Sequence, residues 1–284
     1  MDAIINIVLP IFFLIGLGFF IARSGYLSEA AGDGLADFVI KVAVPILLTR
    51  SIATAQFNDV NPWAFVGVYL TGIVAAWIGG TLVITYIFKR GYRASVIAGV
   101  SAAFSNLVLL GIPLVERAYG GAGLQILFFL VALHLPIMMT LSTFMMEYAV
   151  RADGVEDSPL NVTGIAKTLI RNLSSNPIII GIFIGILWRF SGFGVGGLVG
   201  DVMDLVARTT GPLALLSLGM GLIKYGIKGN LLPAICLAAI SLMVMPAVVY
   251  FVGSYVLPLP PLWLKIAVLL AACPTGINAY LFAT

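Results

Sequence analysis

The chain has 284 residues, of which 61% are hydrophobic and 10% charged, with a mean hydropathy of +1.12 and a formal net charge of +3. A water-soluble domain of this length needs far more charge to cover its surface, so the composition excludes that class. Apolar stretches of membrane-spanning length, roughly 20 residues each, follow one another instead.

Nine apolar segments are predicted, at 4–22, 34–52, 62–88, 94–119, 123–150, 176–190, 199–225, 231–256 and 262–284. They are continuous apolar runs rather than short alternating ones, which predicts helices and argues against a barrel. The first is not a cleavable signal: Asp2 precedes it, no basic residue does, and the run is too long for a signal core. Cys236 and Cys273 lie in apolar segments without metal-ligand spacing, and read as small packing residues. No metal or cofactor is expected.

The longest polar stretch, 151–175, divides the chain into a first half, 1–150, and a second, 176–284. Lys and Arg concentrate in alternate connections: Arg23; Lys89, Arg90 and Arg93; Arg151, Lys167 and Arg171; Lys224 and Lys228. The positive-inside rule then places the N-terminus outside and 151–175 in the cytoplasm. The glycosylation patterns beginning at Asn161 and Asn172 fall in that loop and are set aside.

The halves resemble each other. Pro10, Gly18 and Ser24 match Pro177, Gly185 and Ser191, and Asp37, Lys41, Pro45 and Leu48 match Asp204, Arg208, Pro212 and Leu215, every pair 167 positions apart. Helices 1 and 6 are therefore equivalent and the unit has five helices. An odd number puts the copies in opposite orientations, an inverted repeat of the kind many secondary transporters use. The second copy is expected to close near residue 317 (150 + 167), so its fifth helix is expected to be absent from this sequence.

Segments 4 and 9 carry the candidate chemistry. Segment 4 contains Ser105-Asn106-Leu107-Val108-Leu109-Leu110-Gly111-Ile112-Pro113, and segment 9 contains Cys273-Pro274-Thr275-Gly276-Ile277-Asn278. Proline removes a backbone donor and breaks the helix. At membrane depth, freed backbone groups are tolerated only where protein or a wet cavity satisfies them. Broken segments at corresponding positions in two halves point to a substrate site. Asn106 and Asn278 are the expected side-chain donors, with Thr275 and the backbone near Gly111, Pro113, Pro274 and Gly276. Helix ends exposed by the breaks favour an anionic ligand.

These motifs, with Asn176-Pro177 and the run Pro212-Leu-Ala-Leu-Leu-Ser-Leu-Gly-Met220, resemble signatures of the auxin efflux carrier family over essentially the whole chain. The resemblance implies an all-α polytopic protein of ten helices with helices 4 and 9 broken and crossed at the substrate, a fold similar to bile-acid symporters and sodium/proton antiporters. It implies a scaffold of 1–61 and 176–228 and a transport domain of 62–150 and 229–284. The short central loop resembles compact bacterial members, to which small carboxylates are commonly assigned. The expected protein is thus an alternating-access carrier of small organic anions in a bacterial inner membrane, not an enzyme. Its expected partners are the carboxylate, the bilayer, a proton or sodium ion for coupling, and a second copy through scaffold helices, with no nucleic acid. An anion channel or facilitator and a membrane sensor are the competing readings.

The remaining polar residues carry two readings each. Asp37 with Lys41, and Asp204 with Arg208, are i,i+4 pairs that serve either scaffold structure or gating and coupling. His134, the one histidine, is either a proton relay or a packed neutral ring bonded to a neighbour. Residues 123–146 contain no carboxylate. That disfavours a cation antiporter, since antiporters of the related fold use helix-5 aspartates. Gly181 and Gly185 form a small-residue face suited to internal packing or to a dimer.

Overall fold

The computed structural model describes residues 2–55, 62–154, 162–225 and 231–276. The helices in chain order are α1 (Asp2–Arg23), α2 (Glu29–Phe38), α3 (Val44–Thr54), α4 (Pro62–Leu82), α5 (Tyr92–Ala103), α6 (Ile112–Ala152), α7 (Val162–Ser174), α8 (Pro177–Ser191), α9 (Gly197–Tyr225), α10 (Leu231–Ala239), α11 (Met245–Phe251) and α12 (Pro261–Ala271). No strand occurs among the described residues. The chain is an all-α polytopic membrane protein. Helical stretches long and apolar enough to span a bilayer are Ile5–Arg23, Pro62–Ile87, Leu107–Ala152, Gly197–Ile223 and Leu231–Val256. Within the 46 residues 107–152, Gly120 turns to φ 60° and ψ −151°, a conformation open in practice to glycine alone. The fourth and fifth predicted segments meet at that kink.

Proline writes much of the local geometry. Three π-helical turns, Val39–Ala43, Leu107–Gly111 and Ile240–Val244, each end two residues before a proline: Pro45, Pro113 and Pro246. A proline cannot donate to the carbonyl four residues back. That carbonyl belongs to Lys41, Leu109 or Leu242, the central residue of each turn. Rearranging the ladder to i→i+5 bonds absorbs the orphaned acceptor, at the cost of a local bulge.

The chain divides into two compact units. The first draws on residues within 1–58, 108–129 and 174–228, and the second on residues within 59–107, 130–173 and 229–284. In the first, α1 packs along α9 and α3 along α8. Glycines allow the backbones to touch: Gly18 faces the carbonyl of Leu216, and Gly185 faces that of Thr49. A Cβ on Gly181 would lie 2.6 Å from Pro45 Cα, and Thr49 Oγ1 donates to the Gly181 carbonyl at 2.9 Å. The Gly181/Gly185 face is therefore filled by α3 of the same chain.

In the second unit α4 is central, packing on α5, α11 and α12. Gly80 lets α5 approach at Ala98, where a Cβ would come within 2.8 Å of the carbonyl oxygen, and Gly253 admits Leu264 and Val68. Tyr69, Phe65, Met245, Ile266 and Leu270 are fully buried there, with Phe65 edge-on to Trp263 at 5.2 Å.

One helix lies where a loop is expected. Residues 162–174 form α7, with Ile165 and Leu169 buried four positions apart and Lys167 and Arg171 exposed. The single apolar stripe is too narrow to register as a membrane segment, yet it is enough to seat one face of a helix.

Candidate functional site

Both proline- and glycine-bearing motifs break their helices. Chain α5 stops at Ala103, and Phe104 (φ −92°, ψ 80°) leaves helical geometry. Helix α12 stops at Ala271. The two non-helical stretches then pair with each other. Ser105 and Thr275 form an isolated antiparallel bridge, in which the Asn106 N–H donates to the Pro274 carbonyl and the Gly276 N–H donates to the Phe104 carbonyl, both at 2.8 Å. Thr275 Oγ1 adds a bond to the Ser101 carbonyl at 2.5 Å, capping an acceptor that α5 leaves open at its C-terminus. Each break thereby satisfies the other's backbone, which hydrocarbon requires.

Glycine at 276 suits the close approach: a Cβ there would lie 3.3 Å from Asn106 Cα, a tight contact. Asn106 is buried at 8% exposure, whereas Pro274 and Thr275 are exposed. The bridge thus unites Asn106, Pro274, Thr275 and Gly276. Gly111 and Pro113 are both buried, close the π-turn and open α6, and belong to the first unit; Pro113 packs over Gly211 of α9 there. Asn278 lies outside the described residues.

His134 sits behind the bridge within the second unit, 3% exposed, with its ring edge-on to Phe104 at 5.2 Å and to Tyr69 at 5.7 Å. Neither ring nitrogen has a hydrogen-bond partner among the described residues. The ring packs edge-on between aromatic faces, which offer its nitrogens no hydrogen-bond partner. Tyr69 and Phe104 carry no signal of this role in sequence. Tyr69 donates its hydroxyl to the Leu270 carbonyl in the last turn of α12 at 3.4 Å, and Ser105 Oγ lies 3.7 Å from Met245 Sδ.

The charged pairs differ between the halves. Lys41 bonds Asp37 at 2.7 Å, with side chains 60% and 64% exposed. Asp204 does not turn to Arg208. Arg50 of α3 takes it in a two-pronged pair, Nε to Oδ1 and Nη2 to Oδ2 (2.6 Å for the latter), while Arg50 Nη1 also bonds the Val195 carbonyl at 3.2 Å. The guanidinium fork matches a carboxylate better than an i,i+4 neighbour on the same helix can. Among the described residues no group of three His, Cys, Asp or Glu side chains could hold a metal ion.

Membrane-length helices, together with two shorter helices that break and pair with each other, fit a polytopic membrane transport protein. A family model described as membrane transport protein matches residues 3–284, and the chain belongs to that family, that of the auxin efflux carriers. It is 25% identical over 291 residues to a provisionally named malonate transporter of Rhizobium meliloti (strain 1021), covering 99% of this chain and 86% of that protein. It is 24% identical over 332 residues to auxin efflux carrier component 8 of Arabidopsis thaliana, at 99% and 88% coverage. An uncharacterized transporter of Methanothermobacter thermautotrophicus is 23% identical over 279 residues, at 97% and 86%.

Proposed function

We propose that this transporter is a secondary carrier of small organic anions working by alternating access, with malonate-like carboxylates as its substrates. The observation that carries the reading is the Ser105–Thr275 bridge. It holds two broken helices through backbone bonds, with the Thr275 hydroxyl adding a third, and sets the buried Asn106 beside it. Polar groups placed at a helix break inside a membrane are the usual makings of a substrate site, and the malonate-transporter relative supports a carboxylate. Neutral donors of this kind hold an anion with modest affinity and release it readily.

In this reading residues 62–150 and 229–284 supply the moving body, and 1–61 with 176–228 the scaffold. The protein sits in a bacterial inner membrane with its N-terminus outside. The matched packing of Gly18 on Leu216 and Gly185 on Thr49 supports two inverted copies, because glycines and partners alike stand 167 residues apart. Membrane potential, protons or sodium are the candidate driving forces.

The test is uptake of labelled malonate and malate into proteoliposomes, competed with other carboxylates. Saturable uptake and counterflow are expected, and Asn106→Ala should raise the half-saturating concentration about tenfold, as loss of a hydrogen bond to a charged group does. Conductance without saturation would replace the carrier by a channel. Folded protein that moves no carboxylate would overturn the substrate class.

A further inference from the structure

We propose that His134 is the proton-binding residue of this carrier, so that a proton crosses together with the carboxylate; the role rests on the organic-anion reading above. His134 and the bridge both belong to the second unit. Among the described residues, the buried side chains with unpartnered polar atoms are His134, Ser142, Thr210, Ser241 and Ser254. Only the imidazole among these ionises near neutral pH. A hydroxyl can turn toward a carbonyl of its own helix, whereas the His134 ring is held between two aromatic rings. One nitrogen of a neutral imidazole donates and the other accepts, and neither is engaged here. The free acceptor is where a proton adds.

The ring is also tied to the bridge. Phe104, 5.2 Å from it, is the residue at which the chain leaves α5, and its carbonyl accepts from the Gly276 N–H. Tyr69, 5.7 Å from it, sends its hydroxyl to the Leu270 carbonyl and the Ser105 side chain. Any movement that opens the bridge at Phe104 therefore shifts the cover over His134. The titratable groups around the ring are Tyr69 of α4 and, next to Tyr69, Cys273 after α12. No charged side chain among the described residues acts on the imidazole. An imidazolium at membrane depth needs a counter-charge, and a carboxylate bound at the bridge supplies it. Proton and anion then favour each other's binding. The proton leaves water on one side, adds to the free nitrogen, and returns to water on the other side as the anion departs.

The experiment compares wild type, His134→Gln and His134→Phe in proteoliposomes whose membrane potential is clamped with potassium and valinomycin. It reads malonate counterflow, malonate accumulation driven by an acid-outside pH gradient, and proton entry with an enclosed pH dye. Wild type is expected to accumulate malonate and to admit protons in step with it. His134→Gln should lose both at least tenfold, while counterflow, which needs no net proton movement, falls less than threefold. An equal fall in all three overturns the proposal, because a ring that only packs would produce it. Wild-type accumulation by His134→Gln overturns it too, since the proton would then ride on the carboxylate itself. So does a wild type with saturable counterflow and no response to the pH gradient, and in both cases the carrier reading stands. If His134→Gln does not fold, His134→Phe, which keeps an aromatic ring in the core, decides on the same three readouts. Folded wild type without saturable counterflow removes the anion-carrier reading and this role with it.

Discussion

Inside hydrocarbon a polar side chain needs a partner, and Asp204 has taken one from another helix rather than from its own. The choice follows from geometry: a guanidinium offers two parallel donors to one carboxylate, and an i,i+4 neighbour contributes only a few tenths of a kcal/mol. His134 is the opposite case, a buried imidazole beside aromatic rings whose nitrogens have no partner among the described residues. A buried donor left unsatisfied costs about 1–3 kcal/mol. His134→Phe should therefore hold or raise the melting temperature of the purified protein in detergent. A fall of more than about 5 °C, which would correspond to 1–2 kcal/mol, would mean that the imidazole makes a stabilising contact.

At the scale of elements, breaks and caps decide where helices stop. Helix α5 starts at Tyr92 because Asp153 covers its first amides. Oδ1 accepts from the Tyr92 N–H at 2.9 Å, Oδ2 accepts from the Arg93 N–H at 3.1 Å, and Arg93 Nε adds an ion pair. Those backbone donors, Arg93 and then Tyr92, hold the Asp153 carboxyl below its ordinary range, with the Arg93 side chain adding to the effect. Because the folded value is depressed, the stabilisation is complete above the unfolded carboxyl pKa of about 3.9 and is lost as pH falls through the folded value. Asp153→Asn should lower thermal stability at pH 7, and the gap to wild type should close below about pH 4 as the wild-type carboxyl protonates. A gap of constant size down to pH 3 would show that charge at Asp153 is irrelevant. The same logic of supply and demand explains three of the π-turns, where Pro45, Pro113 and Pro246 each remove a donor and the preceding turn loosens to compensate.

At the scale of the whole molecule, orientation is set by where Lys and Arg lie, since charges near the cytoplasmic ends of helices resist translocation. A single cysteine introduced at the N-terminus of a cysteine-free variant should react with an impermeant maleimide in intact spheroplasts. Reaction only after the membrane is opened would invert the topology. The composition of each unit is less obvious than the order of helices. Residues 108–129 join the first unit although 94–107 of the same predicted segment join the second. The break after Ala103 separates that stretch from the helix before it, and Gly120 bends it internally.

The amino-acid sequence by itself determined the membrane class, the all-α fold and which two motifs interrupt their helices. These rest on short-range causes, chiefly long runs of apolar residues. Where the first motif breaks was less legible: the helix ends at Ala103 and resumes at Leu107, well ahead of Pro113, whose missing donor goes with a π-turn instead. The pattern at residues 162–174 was equally local but faint, since one buried stripe among polar residues looks like a loop when only hydropathy is weighed. Only the tertiary structure decided which polar group meets which. Ser105 faces Thr275, Arg50 captures Asp204, and Tyr69 with Phe104 closes around His134, all across separations of 30 residues or more. Nothing in the spacing along the chain encodes such pairings. They arise because folding must satisfy every buried polar group with whatever partner the packed helices bring within reach.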